Sequence, residues 1–272
     1  MKTTQPKTGK KRSKKYFSVS ASLIVILCAI IAFLFFYMVA GDPSNFDDKG
    51  HPVNTFGTLY QGGWVIPIVI TLLLTVIALA VERFIAMRKA KGTGDLVTFV
   101  DDVKEKLEEG DIEGAFQLCD KQKGSVANIL RSALIRYEDI DNSDLSNDDK
   151  AALISSEVEE ATSLELPLME KNLPVIATIS TLGTLMGLFG TVLGMIKSFG
   201  AMGQEGAPDS TQLAIGISEA LMNTAMGIGT GALAIITYGI FTGKVQNITN
   251  AVNEIGYAIG LTFTTRNKKN KR

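Results

Sequence analysis

The sequence predicts an all-α membrane protein: four transmembrane helices, with long helices extending into a helical cytoplasmic domain. Three observations predict it. Apolar residues make up 46% of the 272 residues, and they are gathered into four long blocks. None of the blocks alternates polar with apolar residues, which excludes barrel strands. Basic residues cluster beside alternate ends of the blocks, as they do in the cytoplasmic flanks of membrane helices.

The elements follow in order. Residues 1–18 hold Lys2, Lys7, Lys10, Lys11, Arg12, Lys14 and Lys15 and no acid. Residues 19–40 carry no charge and meet the length of ~20 apolar residues that a spanning helix needs. The basic leader and Val39-Ala40-Gly41 also suit a signal peptide. The apolar run is longer than the ~7–15 residues of such a peptide, so a retained anchor is the reading. Residues 41–61 form an outer loop with Asp42, Asp47 and Asp48 against Lys49. Residues 62–81 form the second span, followed by Arg83, Arg88, Lys89 and Lys91.

Residues 82–172 form a cytoplasmic insertion with 21 Asp/Glu against 12 Lys/Arg. Leu96, Phe99, Val103 and Leu107 recur at helical spacing. Gly110-Asp111 interrupts them, and a helix resumes from Ile112 to Cys119. Further helices are expected over Val126–Tyr137, with Ile129, Leu130, Leu134 and Ile135, and over Ala151–Lys171. A polar loop over Asp139–Asp149 lies between them, and no break is expected after Lys171 until Pro174. The acidic side chains read as a solvated surface or as a docking face for other proteins.

Residues 173–200 form the third span, with Lys197 as its one charge. Residues 201–213 form a second outer loop with Glu205 and Asp209. Residues 214–241 form the fourth span, whose one charge is Glu219. Residues 242–272 form a basic cytoplasmic helix or tail that ends with Arg266, Lys268, Lys269, Lys271 and Arg272. Both termini then lie on the cytoplasmic side of the bilayer.

Net charge is −1, which gives no argument for nucleic acid. Cys28 and Cys119 lie in different environments, so no disulfide is expected. His51 has no companion ligand for a metal. No nucleophile motif, phosphate loop or zinc pattern is present. Neither an enzyme nor a cofactor is indicated.

The last two spans carry the chemistry. Gly183, Gly187, Gly190 and Gly194 recur on the third; Gly216 with Ala220, and Gly227 with Gly231, do so on the fourth. Small residues at this spacing let helix backbones approach closely. At 100° per residue, Ser180, Thr184, Thr191 and Ser198 fall within about 40° of one another, and so do Glu219, Asn223, Thr230 and Thr237. Two polar stripes suit a hydrated seam or pore. They equally suit interhelical hydrogen bonding, worth only ~0.6 kcal/mol on average.

Glu219 favours the first reading, because a charged carboxylate at the bilayer centre costs roughly 2.5–3.5 kcal/mol or more. A carboxyl group that is neutral in hydrocarbon and ionised near water can carry protons. Lys197 lies near the outer end of its helix and is expected to snorkel outward. A Glu219–Lys197 ion pair is the alternative, and a side chain locked in that pair would make the proton-carrying reading fail. Thr191 and Thr224 share a depth of ~13–15 Å. Thr224 is about 140° around its helix from Glu219, so one neighbouring helix is not expected to meet both.

The motifs Gly187-Leu188-Phe189-Gly190-Thr191-Val192-Leu193-Gly194-Met195 and Ile217-Ser218-Glu219-Ala220-Leu221-Met222-Asn223-Thr224-Ala225-Met226-Gly227 resemble those of the MotA/TolQ/ExbB proton channel family, most closely its ExbB/TolQ branch. The likeness covers roughly residues 62–242. It implies a bacterial inner-membrane protein with three spans plus one extra amino-terminal helix, and periplasmic outer loops. It implies a homo-oligomer, a pentamer, around an ExbD/TolR-like single-span partner that supplies a membrane aspartate. Proton flow would then energise a TonB-like protein or a related envelope process. Thr191 and Thr224 match the family's pore threonines, and Glu219 its pore carboxylate. Gly183-Thr184 stands where the family has Ala-Pro, so a proline kink is not expected there. A non-conducting scaffold is the competing reading. A substrate transporter would show repeats or broken helices, and neither is found.

Overall fold

The computed structural model describes residues 20–48, 50–141, 143–202 and 210–270. The basic residues 1–18, Lys49, Glu205, Asp209, Lys271 and Arg272 lie outside the described residues. So do the side chains of Arg266, Lys268 and Lys269.

The chain is an all-α membrane protein. Four of its helical stretches are long and apolar enough to cross a bilayer, with mean hydropathies of 3.0, 2.6, 1.7 and 1.5. Helix α1 (Ala21–Phe35) continues as a π-turn over Phe36–Ala40. Cys28, Ala32, Phe36 and Ala40 recur every four residues and are its buried side, which packs on the helix over Val65–Lys91. Leu23, Ile26, Leu27, Ile30 and Leu34 face outward, at no cost in lipid.

The first outer loop contains a helix that the sequence reading left out, α2 (Thr55–Gln61). Asn54 caps it by accepting from the Gly57 N–H at 2.9 Å. Asn54 also donates to Asn45 Oδ1 at 2.8 Å, and Asn45 donates to the carbonyls of Val39 and Ala40. Two asparagines thus satisfy both the end of the first span and the start of α2.

Helix α3 (Val65–Lys91) runs ten residues past the second apolar block and ends with Arg88, Lys89 and Lys91 at its carbonyl end, where cations suit the helix dipole. Helices α4 (Leu96–Glu109), α5 (Ile112–Gln122), α6 (Gly124–Asp141) and α7 (Asn147–Glu170) complete a helical domain. Asp95 caps α4, Gly110 ends it at φ +77°, and Asp111 caps α5. The Leu96–Leu107 helix and the Gly110-Asp111 break therefore lie where the spacing puts them. The expected loop over 139–149 is shorter, because α6 continues to Asp141 and Ser146 caps α7 through the Asp149 N–H. Ile129, Leu130 and Leu134 are buried, whereas Ile135 points outward.

Helix α8 (Leu173–Met202) is separated from α7 at Lys171-Asn172, and not at Pro174 as expected. Asn172 has φ +67°, and Pro174 sits in the first turn of α8, where its missing N–H costs nothing. Arg83 holds this joint. It is 1% exposed, forms a bidentate pair with Glu82, and donates to the carbonyls of Leu168 and Met169 at 3.3 and 3.1 Å. The Asn172 side chain donates to the same Glu82.

Helix α9 (Ser210–Asn270) has 61 residues, about 90 Å at 1.5 Å per residue. The close approaches Gly194–Ala220, Gly187–Gly227, Gly183–Gly231 and Val158–Gly256 all keep the same antiparallel register. Helices α7 and α8 thus lie as two successive rods along one long helix. Beyond the membrane block, Phe241, Val245, Ile248, Val252, Ile255 and Ile259 are buried at alternating spacings of four and three, a coiled-coil pattern. The sequence reading gave 242–272 as a basic helix or tail and passed over this stripe.

Two outcomes test this architecture. Arg83→Ala leaves Glu82 and two helix-end carbonyls without their partner, and should destabilise the protein by about 3–5 kcal/mol in denaturant titration in detergent. Cys119 and Cys28 are both free. Burial pushes the Cys119 thiol up to about 12, so it stays protonated at pH 8. A thiol reagent should label it only after denaturation.

Candidate functional site

The site is the contact between α8 and α9, and glycine makes that contact. A Cβ on Gly187 would lie 2.9 Å from the Gly227 Cα, and one on Gly183 would lie 3.1 Å from the Gly231 N. Side chains there would hold the helices apart, so the backbones touch because those residues lack them. Gly190 leaves the space that Asn223 fills, Gly194 meets Ala220, and Gly216 lies against Ser198. All eight small residues singled out in the sequence lie in this contact.

The threonine pair follows from that approach. The Thr191 and Thr224 hydroxyls meet in a hydrogen bond across the contact. Thr191 also faces the carbonyls of Gly187 and Ala220 at 3.2 and 3.4 Å, and Thr224 faces that of Gly187 at 3.5 Å. The remaining α8 hydroxyls donate to their own helix: Ser180 to Ala177, Thr184 to Ser180, and Ser198 to Gly194. On α9, Thr230 and Thr237 do the same with Met226 and Leu233.

Both stripes are therefore packed into the contact. Asn223 and Thr230 are each 1% exposed. The expected hydrated seam does not run between α8 and α9 of one chain, because the glycines bring the backbones together where a lumen would be.

Glu219 sits at the end of this contact that is remote from the helical domain, and it is nearly buried. Its Oε2 accepts from Lys197 Nζ at 2.9 Å. The expectation of a lone carboxyl is corrected here, and the ion pair that the sequence left as the alternative is the one present. The long lysine stem spans the gap that the short contact leaves. The lysine is nevertheless 70% exposed, against 10% for the glutamate side chain. The pair also revises the angular argument, since α8 meets both Glu219 and Thr224, the first through that stem.

Two contacts were not read from the sequence. Asn223 donates to the Gly62 carbonyl at 3.0 Å, and its Oδ1 is buried with no partner. Gly63, at φ +71°, passes so close that a Cβ would lie 3.1 Å from Glu219 Oε1. The turn before α3 thus closes over the carboxyl group. The Gly62-Gly63 doublet ahead of Trp64 was the signal. Trp64 itself packs edge-on against Phe189 of α8, with ring centroids 6.0 Å apart.

A multi-pass helical membrane protein with two glycine-locked helices, a hydroxyl pair between them and an intramembrane ion pair beyond it is the class that fold and site define. Residues 122–254, nearly half of the chain, match the MotA/TolQ/ExbB proton channel family. Named relatives agree. The chain is 37% identical over 86 residues to an ExbB-like biopolymer transport protein of Synechocystis, covering 31% of this chain and 41% of the relative. It is 35% identical over 86 residues to the Tol-Pal system protein TolQ of Pseudomonas aeruginosa, covering 32% and 37%. It is 26% identical over 162 residues to the biopolymer transport protein ExbB of Salmonella typhimurium, covering 56% and 64%. The aligned segments thus span less than two thirds of each of these relatives.

Gly227→Val tests the contact, since overpacking at a tight contact costs typically 1–3 kcal/mol. In a Thr191→Cys/Thr224→Cys protein, oxidation should form a disulfide in high yield. Adding Gly227→Val should reduce that yield and lower the melting temperature.

Proposed function

We propose that this chain is the proton-channel subunit of an inner-membrane motor. It uses the proton motive force, with an ExbD/TolR-like single-span partner, to energise TonB-dependent transport or a related envelope process. The supporting observation is the Thr191–Thr224 hydroxyl contact beside Glu219, within the segment that matches a proton channel family. Hydroxyls can pass a proton by donating one and accepting another, and an intramembrane carboxyl group is a functional-site hypothesis by default.

The proposed assembly is a homo-oligomer, a pentamer by resemblance, in a bacterial inner membrane with both termini cytoplasmic. Its support is the apolar surface that α8 and α9 leave uncovered: Leu185, Val192, Ile196, Phe199, Leu221 and Ile228. Such a surface suits lipid or further copies of the chain. Because the glycines close the α8–α9 contact around the half-buried Thr191 and Thr224, the proton path reaches that pair from between copies or from the partner helix. The chain has no membrane aspartate in its last two apolar blocks, which fits a partner that brings one.

The Glu219–Lys197 pair weighs against a carboxyl group that titrates alone. It does not weigh against one that exchanges its counter-charge. The Lys197 side chain is 70% exposed on the single chain, so this chain's own packing does not close off the pair. A scaffold remains the second reading, favoured by the hydroxyls that are spent on their own helices.

Proton flux into vesicles decides between them, with the chain reconstituted beside its single-span partner. Glu219→Gln should reduce flux to the level of empty vesicles. Thr191→Val should lower it about tenfold, the factor for losing roughly 1.4 kcal/mol of hydrogen bonding. Wild-type flux no higher than that of empty vesicles would favour the scaffold, and flux unchanged in both variants would remove Glu219 and Thr191 from the path.

A further inference from the structure

We infer that Arg88 and Lys244, gathered on the Phe84 ring, form a binding site for the phosphate of an anionic phospholipid headgroup, at the edge of the bilayer next to the helical domain. The inference is separate from proton conduction and uses none of the residues of the α8–α9 contact.

Two cations from helices far apart in the chain meet at one ring. Arg88 of α3 holds its guanidinium carbon 4.8 Å from the centroid of Phe84. Lys244 of α9 holds its ammonium 5.4 Å from the same centroid and 5.4 Å from that of Phe241. Like charges this near repel one another, and contact with a ring offsets only part of that. Among the described residues, neither cation lies within ion-pair distance of a carboxylate.

The neighbouring charges are mostly spent on one another. A cavity of about 660 Å³ opens beside the ring, lined by both cations and by Lys91, Asp95, Asp101 and Glu254. Lys91 is paired with Asp95, and Glu254 with Lys104 of α4. Asp101 stands one turn before Lys104, at the Glu254 end of the cavity. Glu254 is ~15 Å further along α9 than Lys244. The end nearest the apolar blocks is left with a surplus of positive charge.

Depth identifies the ligand. Phe84 lies three residues past the apolar block 62–81, and Lys244 three residues past the block 214–241, so each is ~5 Å beyond its block. The headgroup layer takes up roughly 5–8 Å on each side of the hydrocarbon core. Arg88 is one turn deeper, but helical side chains lean toward the amino end of their helix. For α3 that end is the bilayer, and the guanidinium reaches back to Phe84. Lys244 leans the same way, toward Phe241.

Ile77 and Val81 share the α3 face of Phe84 and Arg88, and Ile236 and Ile240 share the α9 face of Lys244. This chain's own packing leaves all four uncovered. Acyl chains laid along them bring a phosphate to the two cations, where a guanidinium binds it as a fork and an ammonium as a point charge. In the proposed orientation this is the cytoplasmic leaflet, whose anionic lipids attract basic groups. A carboxylate of a neighbouring copy has the right sign, but a phospholipid matches the cations and the apolar faces above them with one molecule.

Native mass spectrometry of the full chain in detergent is the test, with phosphatidylglycerol, phosphatidylethanolamine and inorganic phosphate as probes. Wild type should bind phosphatidylglycerol saturably, one molecule per chain, and more tightly than phosphatidylethanolamine. Inorganic phosphate should not displace it; displacement would make this a free-anion site and overturn the lipid assignment. Arg88→Gln/Lys244→Gln should weaken phosphatidylglycerol binding by about tenfold or more, with the oligomer mass unchanged. If the double variant does not fold, Lys244→Gln alone is read in its place, with a loss of about fivefold expected. Lys244→Arg keeps the charge and should bind as wild type does. Folded neutral variants that bind phosphatidylglycerol like wild type overturn the inference. Wild type that takes up no lipid overturns it too, and a smaller oligomer in the double variant would then assign the cations to a neighbouring copy.

Discussion

The backbone contact of α8 with α9 sets everything else in the membrane part of this molecule. Apolar side chains gain nothing by leaving lipid for one another, so two membrane helices are held by shape and by polar groups. Gly183, Gly187, Gly227 and Gly231 supply the shape. Their absent side chains bring the Thr191 and Thr224 hydroxyls within reach of one another. The same approach presses Asn223 into the space over Gly190 and leaves its amide nothing to donate to on α8. The amide reaches the Gly62 carbonyl instead, which ties the start of α3 to the pair. A three-helix unit thus grows from a two-helix contact.

Below the membrane block, the same register continues by different means. Helix α7 follows α8 along α9, but its contact residues are Ile154, Val158 and Ala161 against Val252, Ile255 and Ile259. In water the hydrophobic effect drives such a stripe, and in lipid it does not. Along α9 the contact thus passes from glycines to a mostly branched aliphatic stripe, in which Gly256 still lies against Val158. Arg83 stands where α7 hands over to α8. A guanidinium buried to 1% exposure is tolerable only because Glu82 and two helix-end carbonyls take up its donors. The joint is thereby fixed both in angle and in height relative to the membrane block.

Much of this was legible in the sequence because it depends on residue type at short range. Uncharged runs marked the spans. Leu96, Phe99, Val103 and Leu107 marked α4, and Asp and Gly marked its ends. The glycine spacing marked the contact. What escaped depends on pairings distant in the chain. Asn172 takes a left-handed conformation that asparagine favours at a helix end, but its bond to Glu82 ninety residues earlier had no local signal. The closing of Gly63 over Glu219 spans a still longer interval. Lys197 was misjudged for a related reason: a long flexible stem lets depth on a helix axis differ from the depth of the charge. The buried stripe on the second half of α9 was present in the spacing, but the basic residues at the very end of the chain drew the reading toward a tail.

The ion pair and the glycine contact together constrain how such a molecule could do mechanical work. Helices α8 and α9 are joined at three heights: by the glycines, by the threonine hydroxyls, and by Glu219 with Lys197. Only the last joint can be undone by a change of protonation, and it lies at the end remote from the helical domain. Undoing it frees a side chain without parting the helices, because the glycine contact involves no titratable group. A packed interface of this kind shifts between discrete arrangements or does not move at all. On the proposed reading, protonation at Glu219 would therefore act on whatever faces the ammonium, and not on the seam beneath it. The moving surface in a motor built from this chain is the outer face of a rigid helix pair, and the seam is the part that keeps the pair rigid.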